Sequence, residues 1–287
     1  MDKCVFVECI GEALYLLEKY QGQGRVMAGG TNLMMVSGRD QPDYRYLVNI
    51  SRIGPLQHII YENNVISIGA AVTHHEVGTA PLIQDKASAL ATAARSVGSQ
   101  QIRSVGTVVG NVVTAHPAAD TAVVLMALGA DAIIATGSGS VQVPVENMYA
   151  DSGRSTVDST CQLVTQVQFH GCLPGQGTGF ARLSGRKVSA LPVLSVAAMV
   201  SLANAAVEWA RIVMAPVGPR PVRAPEAEQF LVGKTPDTAT IATAGQMAVA
   251  DAVASAPRSS RPRTVSVLPA LVERALTMAV AEARQKQ

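Results

Sequence analysis

Residues 28–33, Ala-Gly-Gly-Thr-Asn-Leu, place two adjacent glycines and two polar side chains between apolar runs, Val26-Met27-Ala28 and Leu33-Met34-Met35-Val36. Glycine admits positive φ and lets a ligand approach the main chain closely. Thr31 and Asn32 add side-chain donors beside backbone N–H groups. That is the chemistry of a nest for a phosphate or pyrophosphate; a plain strand–turn is the competing reading, because most Gly-Gly pairs are ordinary turns. Residues 102–121 form a second such stretch, in which Gly106, Thr107, Gly110 and Asn111 combine small residues with hydroxyl and amide donors. Asp120 starts an apolar helical run there. It can cap that helix or accept from a ligand hydroxyl.

Together the two stretches resemble the FAD-binding (medium) subunit of molybdenum-containing hydroxylases, the group of xanthine dehydrogenases and aerobic carbon monoxide dehydrogenases. In that family the first loop reads Ala-Gly-Gly-Thr-Asp-Leu. The second reads Ile-Arg-Asn-Val-Ala-Thr-Ile-Gly-Gly-Asn and is followed by Ser-Pro-Ala-Ala-Asp-Thr. Residues 68–74, 180–187, 194–197 and 219–228 agree as well, so the resemblance spans nearly the whole chain.

The resemblance implies an α+β fold: a two-part, PCMH-like FAD-binding domain over residues 1–174, then a smaller C-terminal α+β domain over 175–287 with a three-stranded sheet and helices. It implies FAD as the cofactor. Met27, Ala28, Gly29, Gly30, Thr31, Asn32 and Leu33 would meet the pyrophosphate. Thr107, Val109, Gly110 and Asn111 would meet the ribityl–pyrophosphate side, with Asp120 accepting from a hydroxyl or amide. Val97 and Val164 would touch the flavin, core packing being the other reading for both. Arg182, Arg186 and Lys187 form a basic group that would stabilise anionic reduced flavin or pyrophosphate, or else a solvated face. Val109 stands where the family has glycine, so FAD binding suffers if that glycine needs positive φ. His74 is expected to hydrogen-bond structurally. No catalytic residue or metal ligand is assigned.

The function implied is electron transfer. Substrate is hydroxylated at molybdenum in a large molybdopterin-binding subunit, electrons cross a small iron–sulfur subunit, and FAD in this chain passes them to an external acceptor such as NAD. Without those partners the chain would not turn over substrate. A self-sufficient FAD-dependent oxidoreductase and a scaffold subunit that has lost FAD are the alternatives.

The elements that must carry these loops can be read from pattern. The chain has 287 residues, 15% of them charged, and a net charge of +2. That length suits two domains, and the balanced charge shows no nucleic-acid footprint. Low charge suggests surface covered by partners. The N-terminus reads as no export signal and the longest apolar run, 122–135, is broken by Asp131 and too short to span a bilayer, so a cytoplasmic protein is expected. Cys4, Cys9, Cys161 and Cys172 lack metal-ligand spacing and read as idle thiols. Helices are expected over 12–20, 81–97, 121–128, 226–231, 239–254 and 267–283. Strands are expected over 25–28, 46–50, 57–61, 65–70, 132–135, 141–143, 163–169, 180–183, 193–202 and 206–214. Turn residues mark 62–64 and 137–139, and the domain boundary is expected in the glycine-rich segment 171–179.

Overall fold

The structure is a computed structural model and describes residues 3–37, 44–185, 191–255 and 263–287. Along the chain run β1 (Lys3–Phe6), α1 (Ile10–Lys19), β2 (Gly24–Met27), α2 (Thr31–Ser37), β3 (Tyr46–Asn49), β4 (Ile59–Glu62) and β5 (Val65–Gly69). Short helices follow: α3 (His74–Thr79), α4 (Pro81–Lys86), α5 (Ser88–Ser96), α6 (Gln100–Arg103), α7 (Val108–Val113) and α8 (Asp120–Ala127). Next come β6 (Asp131–Thr136), β7 (Gly139–Pro144), β8 (Tyr149–Asp151), β9 (Arg154–Ser155) and β10 (Leu163–His170). The last part holds β11 (Gln176–Ser184), β12 (Pro192–Ala203), β13 (Ala206–Ala215), β14 (Val222–Arg223), α9 (Pro225–Leu231), α10 (Thr238–Ser255) and α11 (Leu268–Gln285).

Contacts divide the chain into two units. One comprises Met1–Val77, Ser99–Ala115 and Gly129–His170; the other comprises Gly78–Gly98, His116–Leu128 and Gly171–Gln287. The first unit holds a parallel sheet in the order β1-β3-β2 and a larger antiparallel sheet in the order β4-β5-β10-β6-β7. The β4–β5 hairpin turns through Asn63 and Asn64, both at positive φ. Asparagine tolerates that conformation, and two such residues match the twist of the flanking strands.

The second unit is built on the sheet β11-β12-β13-β14. Three long strands match the expectation; Val222–Arg223 adds a two-residue edge that its length hides from pattern reading. β12 is buried on both faces along most of its length. Alternate side chains of a strand point to opposite faces. Leu194, Val196, Ala198, Val200 and Leu202 accordingly join the core with Ala275, Ala279 and Ala283 of α11, while Ser195, facing the other way, reaches α8. α11 lies directly on β11 because the strand is bare there. A Cβ on Gly177 would stand 2.2 Å from the Ala279 carbonyl oxygen, and one on Gly179 would stand 2.0 Å from that of Ala275. Every side chain of α8 is buried, as suits a helix apolar on all sides.

Three expected elements differ. The helix over 81–97 is two, α4 and α5, separated by Ala87 at φ −157° and ψ 57°. The stretch expected as the second glycine loop is largely the helix α7: the Thr107 hydroxyl accepts the Gly110 amide at 3.0 Å and caps it. Asp120 is the first residue of α8 and does not cap it, because Ala119 occupies the cap position and makes no side-chain cap bond.

Candidate functional site

In the first unit β2 delivers the chain into the glycine turn, and α2 begins immediately after it. Gly30 takes φ +69°, a conformation that a side chain strains. Gly29 is required for a different reason. A Cβ there would meet the Val105 carbonyl oxygen at 2.0 Å and the Gly106 Cα at 3.0 Å, so the two turns touch backbone to backbone. Thr31 Oγ1 lies 3.3 Å from the point a Cβ on Gly106 would occupy. The second turn is tied down from behind by β5 and its continuation: the His74 amide donates to the Gly106 carbonyl at 2.9 Å and the Val108 amide to the Val72 carbonyl at 3.2 Å.

Gly29 and Thr31 are thus brought against Val105 and Gly106, with Met27, Ala28, Gly30, Asn32 and Leu33 adjoining them along the chain; Val109, Gly110 and Asn111 lie in the α7 turn that Thr107 caps. The first residues of any helix leave amides without intrahelical partners. Among the described residues no bond engages the amides of Gly29, Gly30, Thr31 and Asn32. Unspent donors beside two backbones that leave no room for a Cβ are what a pyrophosphate requires, and the residues present fit FAD. Val109 is buried and right-handed helical, so no glycine is needed there.

Val164 is also buried, in β10 opposite Ile134 next to a bulge, and serves the core of this unit. Among the described residues no group of three or more His, Cys, Asp and Glu side chains could hold a metal ion. Cys172 is buried, and burial pushes its thiol up to about 12. Cys9 caps α1 through its sulfur.

Asp120, Arg182 and Val97 belong to the second unit. Val97 is the half-buried residue that ends α5. The Asp120 carboxylate accepts from the Ser195 hydroxyl at 2.5 Å and the Ser96 hydroxyl at 3.1 Å, and pairs with Arg182 Nε at 2.8 Å. Burial pushes its carboxyl above the usual range, opposed by the Ser195 hydroxyl, the Arg182 charge and the Ser96 hydroxyl. A buried carboxylate this well surrounded joins α8 to α5, β11 and β12. Ser195 and Ser96 were missed as its partners. Ser195 does fall in the matching stretch 194–197, which was the available signal. Lys187 and Arg186 lie outside the described residues.

His74 departs from its expected role. Its main chain makes the bond to Gly106, whereas its imidazole Nδ1 is buried and has no hydrogen-bond partner among the described residues. Burial, then the nearby Arg103 charge, lowers its pKa to about 4.

Two family models match this chain: the FAD-binding domain in molybdopterin dehydrogenase over residues 2–169, and the CO dehydrogenase flavoprotein C-terminal domain over residues 180–279. The chain belongs to this family of FAD-binding subunits of molybdenum hydroxylases, and FAD is its cofactor. Among its relatives, the glyceraldehyde dehydrogenase medium chain of Sulfolobus acidocaldarius is 30% identical, with 80% of each chain covered. The nicotinate dehydrogenase FAD-subunit of Eubacterium barkeri is 30% identical over 77% of this chain and 76% of its own. The fold is that of the CO dehydrogenase from Oligotropha carboxidovorans, with a TM-score of 0.89 at 24% identity over 98% of both chains.

Proposed function

We propose that this chain is the electron-relay subunit of a molybdenum hydroxylase complex, standing between a small iron–sulfur subunit and an external acceptor such as NAD, with the substrate handled in a large molybdopterin-binding subunit. FAD, when bound, supplies the redox chemistry that joins the two sides. The protein's part is to bind and orient it. Gly29 lets the first turn seat on the Val105–Gly106 backbone and Gly30 supplies its positive φ; the amides of Gly29 to Asn32 would donate to the pyrophosphate, with Thr107 capping the α7 turn alongside. We put the junction between FAD-binding and C-terminal domains at 174/175, a reading supported by the gap between the two matched segments.

The observation that carries the reading is the backbone contact between the Gly29 and Val105–Gly106 turns, within the segment that matches the FAD-binding model. Dependence on partners is supported by Met34, Met35, Ile102 and Val105, four exposed apolar side chains flanking those turns. A cytoplasmic location agrees with the reading; among the described residues no helix is long and apolar enough to cross a membrane.

The test is flavin absorbance of the purified full chain, wild type against Gly30→Val. A β-branched residue at that φ costs about 1–3 kcal/mol, which weakens FAD binding roughly ten- to hundredfold with circular dichroism unchanged. Full flavin occupancy in Gly30→Val overturns the role given to the first turn.

A further inference from the structure

His74 opens α3 directly behind the two turns. Glu76 fixes it there: its carboxylate accepts the Thr73 amide and hydroxyl, each at 2.7 Å, and Thr73 Oγ1 accepts the Glu76 amide at 3.2 Å. This reciprocal cap leaves the start of α3 little freedom. His74 is 2% exposed. Around the point where Gly106 would carry a Cβ, the Ile102 carbonyl oxygen lies at 3.0 Å, Thr31 Oγ1 at 3.3 Å and His74 Cδ2 at 3.6 Å. The imidazole edge, the hydroxyl of the first turn and the glycine of the second therefore meet at one place. Burying a neutral ring beside that place costs one unsatisfied nitrogen; burying a charged ring there is far more costly.

We propose that His74 is a positioning residue for the flavin site: its neutral imidazole props the Thr31 and Gly106 turns against each other, and a proton on that ring drives them apart and releases FAD. The inference rests on the FAD reading of the two turns.

The charged surroundings favour the neutral ring. Arg103 on α6 repels an imidazolium. Glu76, on the ring's own helix, is engaged with Thr73, and His75 is the adjacent residue. α2, α7 and β5 bring no ionisable side chain. The propped site thus holds the imidazole near 4 against an ordinary 6.5. Between those values the opened site takes up a proton that the propped site refuses. Acid therefore favours opening by about tenfold per pH unit, and on the order of 300-fold across the window. Above pH 6.5 the prop is fully effective; it fails as pH falls through 4.

The experiment follows FAD affinity of the full chain from pH 7 to 4 by recovery of flavin fluorescence, with circular dichroism recorded on the same samples. Wild type is expected to lose affinity along that slope while its secondary structure holds. His74→Gln, which cannot take a proton, is expected to flatten the slope. Arg103→Gln removes one of the two causes of the low pKa and is expected to make the slope shallower, which keeps the test decisive even if His74→Gln does not fold. A wild type without FAD at pH 7 refutes the site itself. A wild type that holds FAD at pH 7 but shares its acid curve with both variants, or keeps its flavin until it unfolds, refutes only the role of His74.

Discussion

At position 109 a valine replaces the family's glycine, and the backbone there is helical. The side chain is 2% exposed. Val109→Gly would remove a buried apolar group from a short helix and add backbone freedom. It is expected to cost about 2–3 kcal/mol in denaturant unfolding without tightening FAD binding. A gain in affinity would show that the family's glycine matters for conformation after all. The first turn was readable because its Ala-Gly-Gly-Thr run occurs together with the second stretch in the family pattern, not from the glycine pair alone. The reason Gly29 is needed was not readable, since its constraint is the Val105 carbonyl, 76 positions away and carried by an unremarkable side chain. Asp120 was legible as important, and only its cap reading fails: cap geometry depends on which residue leaves helical φ and ψ, and that residue is Ala119.

Long elements with a clear period were read well, as were the short β2, β3, β5, α8 and α9; the short helices α2, α3, α6 and α7 were not read. β10, β12 and β13 fall close to their expected ranges because each is an apolar run rich in β-branched residues, alternating in part of β10 and buried on both faces in β12, and bounded by turn residues. The 81–97 helix hid its break, since Ala87 is a helix former and only tertiary packing takes it to φ −157°. The α7 helix hid in a Val-Val-Gly-Asn-Val-Val run that carries no helical period. The seat of α11 on β11 was equally invisible, because it depends on glycines spaced two apart facing alanines spaced four apart: Gly177 and Gly179 against Ala275, Ala279 and Ala283. At this scale Gly179→Ala is expected to destabilise the protein by about 3 kcal/mol or more, as overpacking against a rigid helix backbone does. Gly137→Ala, which meets nothing within 4 Å, is expected to stay within about 0.5 kcal/mol of wild type. Equal denaturation midpoints for the two variants would contradict the close seat of α11.

For the molecule as a whole the expectation is dependence on partners. A tagged full chain co-expressed with its neighbouring reading frames should capture two further polypeptides, one with molybdopterin and one with iron–sulfur absorbance. The chain alone should show no substrate hydroxylation. Turnover by the isolated chain would favour the self-sufficient oxidoreductase instead. The interleaving of the two units also bears on how the protein is made. α5 and α8 leave the ribosome early, yet the strands against which they bury, β11 and β12, begin only at Gln176 and Pro192. At about 5–20 residues per second, the nascent polypeptide carries both helices without their strand partners for several seconds. Their full burial must await the second half of translation, so this layer of the core closes only after Pro192 has been made.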